Sequence, residues 1–249
     1  MTCNGASIYC DFSSENYSWY DGNSSYLAFE LENFLSLFQE RQPDVVLDIG
    51  AHWGYYPSFL NNSKYSGVIR RIIAVEADPA NRKFLANTLA QVSRIPVLQV
   101  SAAISDCDGY INLYSGGGSC AQTYCSSNAK PVGRIPALSL DQLVERYLKP
   151  GEVVTHIKLD IDGYEPAFFA GGEKTLRLFR PSILMEFWAQ GLIESGVDIW
   201  AFWEMLHKNY YVQEARFSDR RVAALGRSDL SYLVDKTKNG ITNLILVPR

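Results

Sequence analysis

The stretch "VVLDIGAHWGYY", residues 45–56, decides the fold of this chain. Its apolar run is typical of a strand buried on both faces, and it passes Asp48 and reaches Gly50 and Gly54. Gly50 permits a tight turn, and Gly54 permits close approach of the backbone to a ligand. The N-terminus of the helix that follows favours a carboxylate or a phosphate. The stretch predicts a cofactor-binding loop, with a purely structural turn as the alternative.

Strands and helices alternate on both sides of this stretch. Further strands are predicted in "RRIIAVEADP", "VLQVSAAISD", "THIKLDIDG" and "PSILMEF", and helices in "SYLAFELENFLSLFQER", "PANRKFLANTLAQVS", "SLDQLVERYL" and "DIWAFWEMLHKN". The segment "DGYINLYSG" is typical of a hairpin-like excursion. "YYVQEARF" and "NLILVP" show no helix between them and predict an antiparallel edge. We expect one α/β domain over residues 26–249, with a mostly parallel sheet and helices on both faces, after an irregular lead over residues 1–25.

Composition narrows the classes of function. The chain has 249 residues, 47% hydrophobic and 20% charged, which is ordinary for a globular protein. A net charge of -4 argues against nucleic acid as a partner, and the basic segment "RRVAALGR" is interpreted as a surface loop. No apolar window is long enough to span a membrane, and no signal peptide is evident. The 5 cysteines include no CxxC, and the pair in "CAQTYC" is too loosely spaced to indicate a metal site. Reduced thiols and a cytoplasmic location are therefore expected.

The second strand carries an acidic residue that indicates the class of cofactor. "AVEADP" places Glu76 at the end of that strand, and its carboxylate can accept two hydrogen bonds from a ribose diol. This predicts an adenosine-bearing cofactor, either NAD or S-adenosylmethionine. The loop has the spacing G-x-x-x-G, without the middle glycine that lets a pyrophosphate approach, so NAD is disfavoured.

A cluster of charged residues follows the fourth strand, in "KLDIDGYE". Strand alternation places Lys158 and Asp160 on one face, and the glycine turn can bring Glu165 back over the site. Glu186, at the end of the next strand, should lie beside them in a parallel sheet. The alternative is structural: Lys158 pairs with Asp160, and Glu165 caps its helix.

Four segments of the chain together resemble the FkbM family of S-adenosylmethionine-dependent methyltransferases. They are "VVLDIGAHWGYYPSFL", "IIAVEADPANRKFLANTL", "VSAAISDCDGYINLY" and "HIKLDIDGYEPAFFAGGEKTL" with "PSILMEF", in order from about residue 44 to 188. The most specific piece, "IKLDIDGYE", is similar to the family's Lys-x-Asp-x-Glu-Gly-x-Glu pattern. His52 stands where the family usually carries Asn, and Asp162 stands where Glu is common. Both departures concern contacts with the substrate.

The resemblance implies a class I Rossmann-like methyltransferase domain that methylates a hydroxyl group, typically on a sugar or glycan or on a complex natural product. The expected cofactor-binding residues are Asp48, Gly50, Ala51, His52, Gly54, Tyr55, Glu76, Ala77, Ala103, Ile104 and Asp160. In this set Glu76 holds the ribose, and the resemblance places adenine recognition at Ala103 and Ile104. The expected catalytic residues are Asp160, Glu165, His52 and Lys158.

Activation of the hydroxyl admits two mechanisms. In one, a carboxylate or His52 accepts the proton as general base. In the other, Asp160, Asp162 and Glu186 hold a divalent cation such as Mg²⁺, which lowers the hydroxyl pKa. The sequence leaves this choice open.

Two other classes of function compete with a sugar O-methyltransferase. An NAD-dependent oxidoreductase predicts a third glycine and a Tyr-x-x-x-Lys motif, and neither is evident. A non-catalytic cofactor-binding module would tolerate neutralisation of "KLDIDGYE".

Acceptor choice is expected to reside in the N-terminal lead and in the loops after Gly116 and Phe187. Four aromatic residues, Trp53, Tyr55, Tyr56 and Trp188, are expected next to the pocket, with packing as the alternative role. Trp200 and Trp203 are expected in the core.

Overall fold

The computed structural model of the chain describes residues 2–3, 6–10, 24–115, 121–122 and 130–249. Gly116 and both cysteines of "CAQTYC" lie outside these ranges. At the N-terminus, strands β1 (Thr2–Cys3) and β2 (Ala6–Ser7) form an antiparallel pair, so this part of the lead is not irregular. Helix α1 (Ser24–Glu40) follows, close to the predicted start of the domain, and the boundary at residue 25 stays a prediction.

The strands of the remaining chain are β3 (Val45–Ile49), β4 (Arg71–Val75), β5 (Val97–Val100), β6 (Ala103–Ser105), β7 (Gly109–Ser115), β8 (Ala121–Gln122), β9 (Lys130–Ser139), β10 (Val154–Leu159), β11 (Ser182–Phe187), β12 (Tyr210–Arg216), β13 (Arg221–Ala224) and β14 (Thr242–Pro248). The helices are α2 (Tyr55–Asn62), α3 (Pro79–Leu89), α4 (Leu140–Tyr147), α5 (Glu165–Ala170), α6 (Glu173–Phe179), α7 (Ala189–Glu194), α8 (Ile199–Asn209) and α9 (Leu230–Lys236). Short 3₁₀ turns lie at Lys64–Gly67, Arg227–Asp229 and Thr237–Asn239.

The main sheet has eight strands in the order β13-β12-β14-β11-β10-β3-β4-β5. The five from β11 to β5 pair in parallel, and β14, β12 and β13 add antiparallel pairs at the other side. The predicted parallel sheet with an antiparallel edge is confirmed. From β3 the chain builds outward to β4 and β5, then crosses back to β10 on the opposite side. Ligands bind outside the carboxyl ends of the strands at such a reversal of strand order.

Helices cover both faces of this sheet, as the sequence predicts. Alternate residues of β3 point to opposite faces: Leu47 packs in a core with Trp203 of α8, and Val46 in a second core with Phe34 of α1. Helices α3 and α4 begin at the predicted caps. Asp78 accepts from the Ala80 N–H at 2.7 Å, and the Ser139 side chain caps α4 in the same way.

The structure corrects several predictions. "VLQVSAAISD" forms two strands, because the chain leaves the main sheet after β5 and β6 pairs with β9 in a second sheet of order β6-β9-β7-β8. "RRVAALGR" contains the edge strand β13 and is not a loop. Helix α9, between the last strands, has only 7 residues, too few for a clear helical pattern. Trp200 is 55% exposed because it lies off the buried stripe of α8 that carries Trp203.

Within the described ranges, no helix is both long and apolar enough to cross a membrane.

Candidate functional site

A cavity of about 240 Å³ lies at the carboxyl ends of β3, β4, β10 and β11. Of the residues predicted for the site, those that line it are Asp48, Gly50, Ala51, His52, Tyr55, Glu76, Ala77, Ala103, Ile104, Lys158, Asp160, Asp162 and Glu186. Gly54 and Glu165 are not among the lining residues. The cavity therefore joins the ends of four strands that lie far apart in the sequence.

The loop after β3 is fixed by hydrogen bonds to the end of β4. The N–H groups of Gly50 and Ala51 donate to the Val75 carbonyl at 3.0 and 2.9 Å. Gly50 has a φ of +85°, and a side chain there would overlap the carbonyl oxygen of Asp160. Gly50 is thus required both for its backbone conformation and for close packing against the end of β10.

Gly54 has a packing role, in contrast to the predicted approach of its backbone to a ligand. Its φ is +86°, and an added Cβ would lie 2.8 Å from Leu85 Cδ1 and 3.2 Å from Thr88 Cγ2. Both neighbours belong to α3, so the glycine lets α2 begin close against that helix. The sequence identified a constrained glycine correctly but could not show which neighbour constrains it.

Gly50→Ala is expected to destabilise the protein by several kcal/mol, well beyond the roughly 1–2 kcal/mol that left-handed backbone alone costs. The additional loss of stability arises because β10 or the loop after β3 must move away from the new Cβ. Gly196→Ala is the matched control, since Gly196 has a φ of +84° and no neighbouring atom within 4 Å of the added Cβ. Urea unfolding of both variants checks this, and equal losses of stability would contradict it.

Glu76 is buried and holds two backbone donors. Its Oε2 accepts from the His52 N–H at 2.7 Å, and its Oε1 accepts from the Asp78 N–H at 2.8 Å. Burial raises the pKa of Glu76 to about 7, against the lowering effect of these hydrogen bonds. The Asn81 side chain also hydrogen-bonds this carboxylate, which still has capacity to accept from a ligand hydroxyl. The position and orientation of the carboxylate fit the predicted contact with a diol.

Asp48, at the end of β3, is 2% exposed, and its Oδ2 has no hydrogen-bond partner in the described protein. Burial raises its pKa to about 7, although the nearby Lys158 ammonium acts in the opposite direction. A buried carboxylate oxygen without a partner is costly. Because Asp48 lines the cavity, its carboxylate is placed to attract a cationic group of a ligand there.

An apolar wall lies next to Glu76. It consists of Ala77, Ala102, Ala103, Ile104 and Leu113, from the end of β4, the region of β6 and the excursion strand β7. Ser105 and Asp106 are not among the residues that line the cavity, and the Ser105 hydroxyl donates to Asp106 Oδ1 at 3.0 Å. The wall suits the face of a flat, weakly polar ring.

The opposite end of the cavity is acidic. One carboxylate oxygen from each of Asp160, Asp162 and Glu186 lies within 4.8 Å of the others, and all three side chains are half-buried. Asp162 has a φ of +53°, the left-handed conformation of the turn after β10. Burial raises the pKa of Glu186 well above its usual range, and Asp160 adds to this. The structure thus brings together the three residues predicted as cation ligands.

Lys158 lies beside this group with its side chain 3% exposed. Its Nζ is 3.2 Å from Asp160 Oδ2 and 3.8 Å from Glu30 Oε1, and it lies 5.6 Å from the centre of the Tyr56 ring. Burial alone would lower the pKa of Lys158, but the charges of Asp160, Glu30 and Glu186 outweigh it and raise the pKa. Lys158 is therefore a charged ammonium inside the cavity.

Glu165 was predicted as catalytic, but it lies behind the turn and not at the cavity. Its Oε1 is 3.4 Å from the Ile161 N and 3.3 Å from the Gly163 N, both of which donate to it. Burial raises its pKa to about 7. Glu165 therefore holds the turn that carries Asp162, whereas the structural alternative expected it to cap its helix.

His52 lies at the cavity, whereas Trp53 and His156 lie in the core. His52 lines the cavity, and its ring stacks on Trp53 with centroids 5.1 Å apart. Trp53 is 1% exposed and donates to Asn81 Oδ1 at 3.1 Å, so it supports the loop from behind. His156 is buried, with Nε2 3.2 Å from the Leu37 carbonyl oxygen, and burial lowers its pKa to about 4.

Sequence reasoning missed the part of the cavity that comes from both ends of the chain. Leu27 and Glu30 of α1 line it, as does Ile241 just before β14. The signal for Glu30 was available, since it falls on the apolar stripe of α1 beside Leu27 and Phe34, where a carboxylate needs a partner. Ile241 had no comparable signal.

A family model described as the methyltransferase FkbM domain matches residues 48–218. No curated protein matches the chain. A crystal structure of an FkbM methyltransferase from Methylobacillus flagellatus is similar at 15% identity with a TM-score of 0.52, over 82% of this chain and 43% of that one. This chain thus spans less than half the length of that protein.

Two further solved structures are less similar. The O-methyltransferase TomG from Streptomyces achromogenes, in complex with SAM, matches at 14% identity and a TM-score of 0.48, over 96% of this chain and 91% of that one. An rRNA methylase from Streptococcus thermophilus matches at 8% identity and a TM-score of 0.47, over 86% and 92%. The expected exclusion of nucleic acid and the expected cytoplasmic location stay predictions.

Proposed function

Because this chain belongs to the FkbM methyltransferase family, we propose that it transfers a methyl group from S-adenosylmethionine to a hydroxyl group of a sugar, a glycan or a glycosylated natural product. The observation that carries the proposal is the arrangement of the cavity. An apolar wall and Glu76 lie at one end, the unpaired Asp48 lies between, and three clustered carboxylates lie at the other end.

The end of the cavity that carries Glu76 and the apolar wall is suited to the methyl donor. Bound there, S-adenosylmethionine supplies an activated methyl group on a sulfonium. Glu76 accepts hydrogen bonds from the ribose diol, and Ala103 and Ile104 flank the adenine ring. Asp48, whose carboxylate borders the cavity, pairs with the ammonium of the methionine part. Since the N–H groups of Gly50, Ala51 and His52 are already used within the protein, the loop offers carbonyl oxygens to this ammonium.

The acidic end activates the acceptor. A neutral hydroxyl is a poor nucleophile, so its proton must be removed or its pKa lowered. The cluster of Asp160, Asp162 and Glu186 can accept the proton directly. It can also hold Mg²⁺ through oxygen ligands, the type that this ion prefers, and the ion would then lower the pKa of the hydroxyl. His52 is less suited as the base, because its backbone is bound to Glu76 at the donor end.

The experiment that tests this function measures transfer of a tritiated methyl group to defined neutral methyl glycosides and oligosaccharides, with Mg²⁺ and with EDTA. An O-methylated product supports the proposal, and loss of transfer in EDTA assigns the activation to a cation. Transfer to ribosomal RNA fragments with none to any sugar would contradict the proposed acceptor. Binding of NAD in place of S-adenosylhomocysteine would contradict the proposed donor.

Affinity for S-adenosylhomocysteine is expected to rise with pH between 6 and 8. Burial raises the pKa of Asp48 to about 7, so below that pH the group is largely protonated and cannot pair with the ligand ammonium. Binding must then displace a proton, and affinity falls by up to about tenfold per pH unit for one such group. Calorimetric titration at several pH values checks this.

The matched variant is Asp48→Asn, which is expected to bind more weakly and with a smaller pH dependence. Burial also raises the pKa of Glu76 to about 7, so a residual slope from that group is expected. An unchanged slope in Asp48→Asn would show that Asp48 does not meet the ammonium.

A further inference from the structure

Helix α1 brings a buried carboxylate into the cavity. Glu30 is 4% exposed, lines the cavity and lies outside the residues 48–218 that the family model matches. A carboxylate in such a place is unfavourable unless it is paired. It does not cap the helix, because it lies well inside α1 (Ser24–Glu40). Its position therefore calls for a role at the cavity.

The partner of Glu30 is the ammonium of Lys158. Glu30 Oε1 lies 3.8 Å from Lys158 Nζ, and Asp160 Oδ2 lies 3.2 Å from the same atom. The ammonium is thus placed between two carboxylates that come from opposite parts of the chain. Asn243 of β14 adds a hydrogen bond to Glu30 and donates to the Tyr26 hydroxyl at 2.6 Å. This arrangement fixes the Glu30 carboxylate in the cavity.

The ammonium matters because the methyl donor is itself a cation. Lys158 is the one lysine or arginine among the described residues that line the cavity. An uncompensated ammonium there would repel the sulfonium of the donor. Lys158 and Asp160 form a neutral pair, and an ionised Glu30 gives the three groups one net negative charge. Burial raises the pKa of Glu30, and the charge of Lys158 acts in the opposite direction and favours the ionised form. Glu30 thus adds to the negative charge that Asp48, Asp162 and Glu186 also present to a cation in this cavity.

We propose that Glu30 is a positioning residue that holds and over-compensates the Lys158 ammonium, so that the cavity binds the cationic methyl donor more tightly than its neutral thioether product. The inference rests on the proposed function. It gives helix α1, which the family model does not cover, a part in discriminating donor from product. Tighter binding of the donor and weaker binding of the product favour turnover, because the demethylated product then dissociates more readily.

A purely structural ion pair makes a different prediction. If Glu30 served only to attach α1 to the sheet, its loss would lower stability and weaken both ligands alike. The ratio of the two affinities separates the roles, because a change in fold affects ligands of the same shape equally. Sinefungin carries an ammonium where the donor carries its methylsulfonium, and S-adenosylhomocysteine carries a neutral sulfur. Neither can transfer a methyl group.

The test is calorimetric titration of Glu30→Gln with sinefungin and with S-adenosylhomocysteine. We expect affinity for sinefungin to fall on the order of tenfold and that for S-adenosylhomocysteine to stay within about twofold, since one charge is removed near one ligand position. Glu32→Gln is the matched control on the same helix. Glu32 is exposed and pairs with Arg220 at 3.0 Å, and its variant should leave both affinities unchanged.

Equal weakening of both ligands in Glu30→Gln, or no change in either, would overturn the inference and leave the proposed function standing. If wild-type protein binds neither ligand, the proposed function fails and the inference falls with it. Glu30→Asp covers the case in which the glutamine variant does not fold. It keeps the charge and is expected to keep the preference for sinefungin, and loss of that preference in a folded Glu30→Asp would also overturn the inference.

Discussion

Glu76→Gln is expected to weaken binding of S-adenosylhomocysteine by about 100-fold or more. Hydrogen bonds to a charged group contribute about 1.5–3 kcal/mol each, and the ribose diol makes two of them. A glutamine presents one oxygen and one NH₂ group, and the NH₂ faces a donor. It would oppose either the His52 N–H or the Asp78 N–H, which Glu76 now accepts at 2.7 and 2.8 Å. Calorimetry at pH 8, where the wild-type carboxylate is ionised, measures the loss.

Glu152→Gln is the control for this variant. Glu152 is 7% exposed, as is Glu76, and it pairs with Arg71 at 2.5 Å near the start of β4, away from the cavity. The same chemical change there should lower the free energy of unfolding without altering ligand affinity. If both variants lose affinity equally, general destabilisation explains the effect and the ribose contact is refuted.

The site could be predicted where local rules determine geometry. Period-two alternation in β10 places Lys158 and Asp160 on one face, and parallel pairing of β10 with β11 brings Glu186 alongside. Both follow from the sequence because each depends on a few neighbouring residues. The turn after β3 could be predicted for the same reason, because a strand that ends in a glycine with a constrained backbone leaves few conformations.

The features of the fold and the site that the sequence did not predict depend on packing between segments far apart in the chain. No local pattern in the sequence encodes the tertiary contacts that constrain Gly54. The same is true of the contacts that take β6 out of the main sheet to pair with β9. The position of Glu165 could not be predicted for the same reason. The conformation of a single turn determines whether its carboxylate faces the cavity or the backbone behind it. Glu30 was visible as a charge on an apolar stripe, but its partner Lys158 is far along the chain.

Asp160→Asn is expected to lower the rate of methyl transfer by roughly 10²–10⁴-fold, the usual contribution of a positioned acid or base. The backbone of this residue is held by its N–H, which donates to the Ile49 carbonyl at 3.0 Å, so an asparagine should keep the same position. Affinity for S-adenosylhomocysteine should stay within about threefold, because the variant alters the acceptor end. Single-turnover transfer to the sugar acceptor identified in the screen measures the rate.

Asp162→Asn and Glu186→Gln decide what the lost activity means. If the cluster holds a cation, the three carboxylates within 4.8 Å of one another act as one unit. All three variants should then lose activity together, and each should lose the Mn²⁺ binding that calorimetry detects in the wild type. If Asp160 acts as the base, its variant loses far more than the other two, and EDTA has no effect. Wild-type turnover in Asp160→Asn would show that Asp160 is neither the base nor a required ligand of the cation.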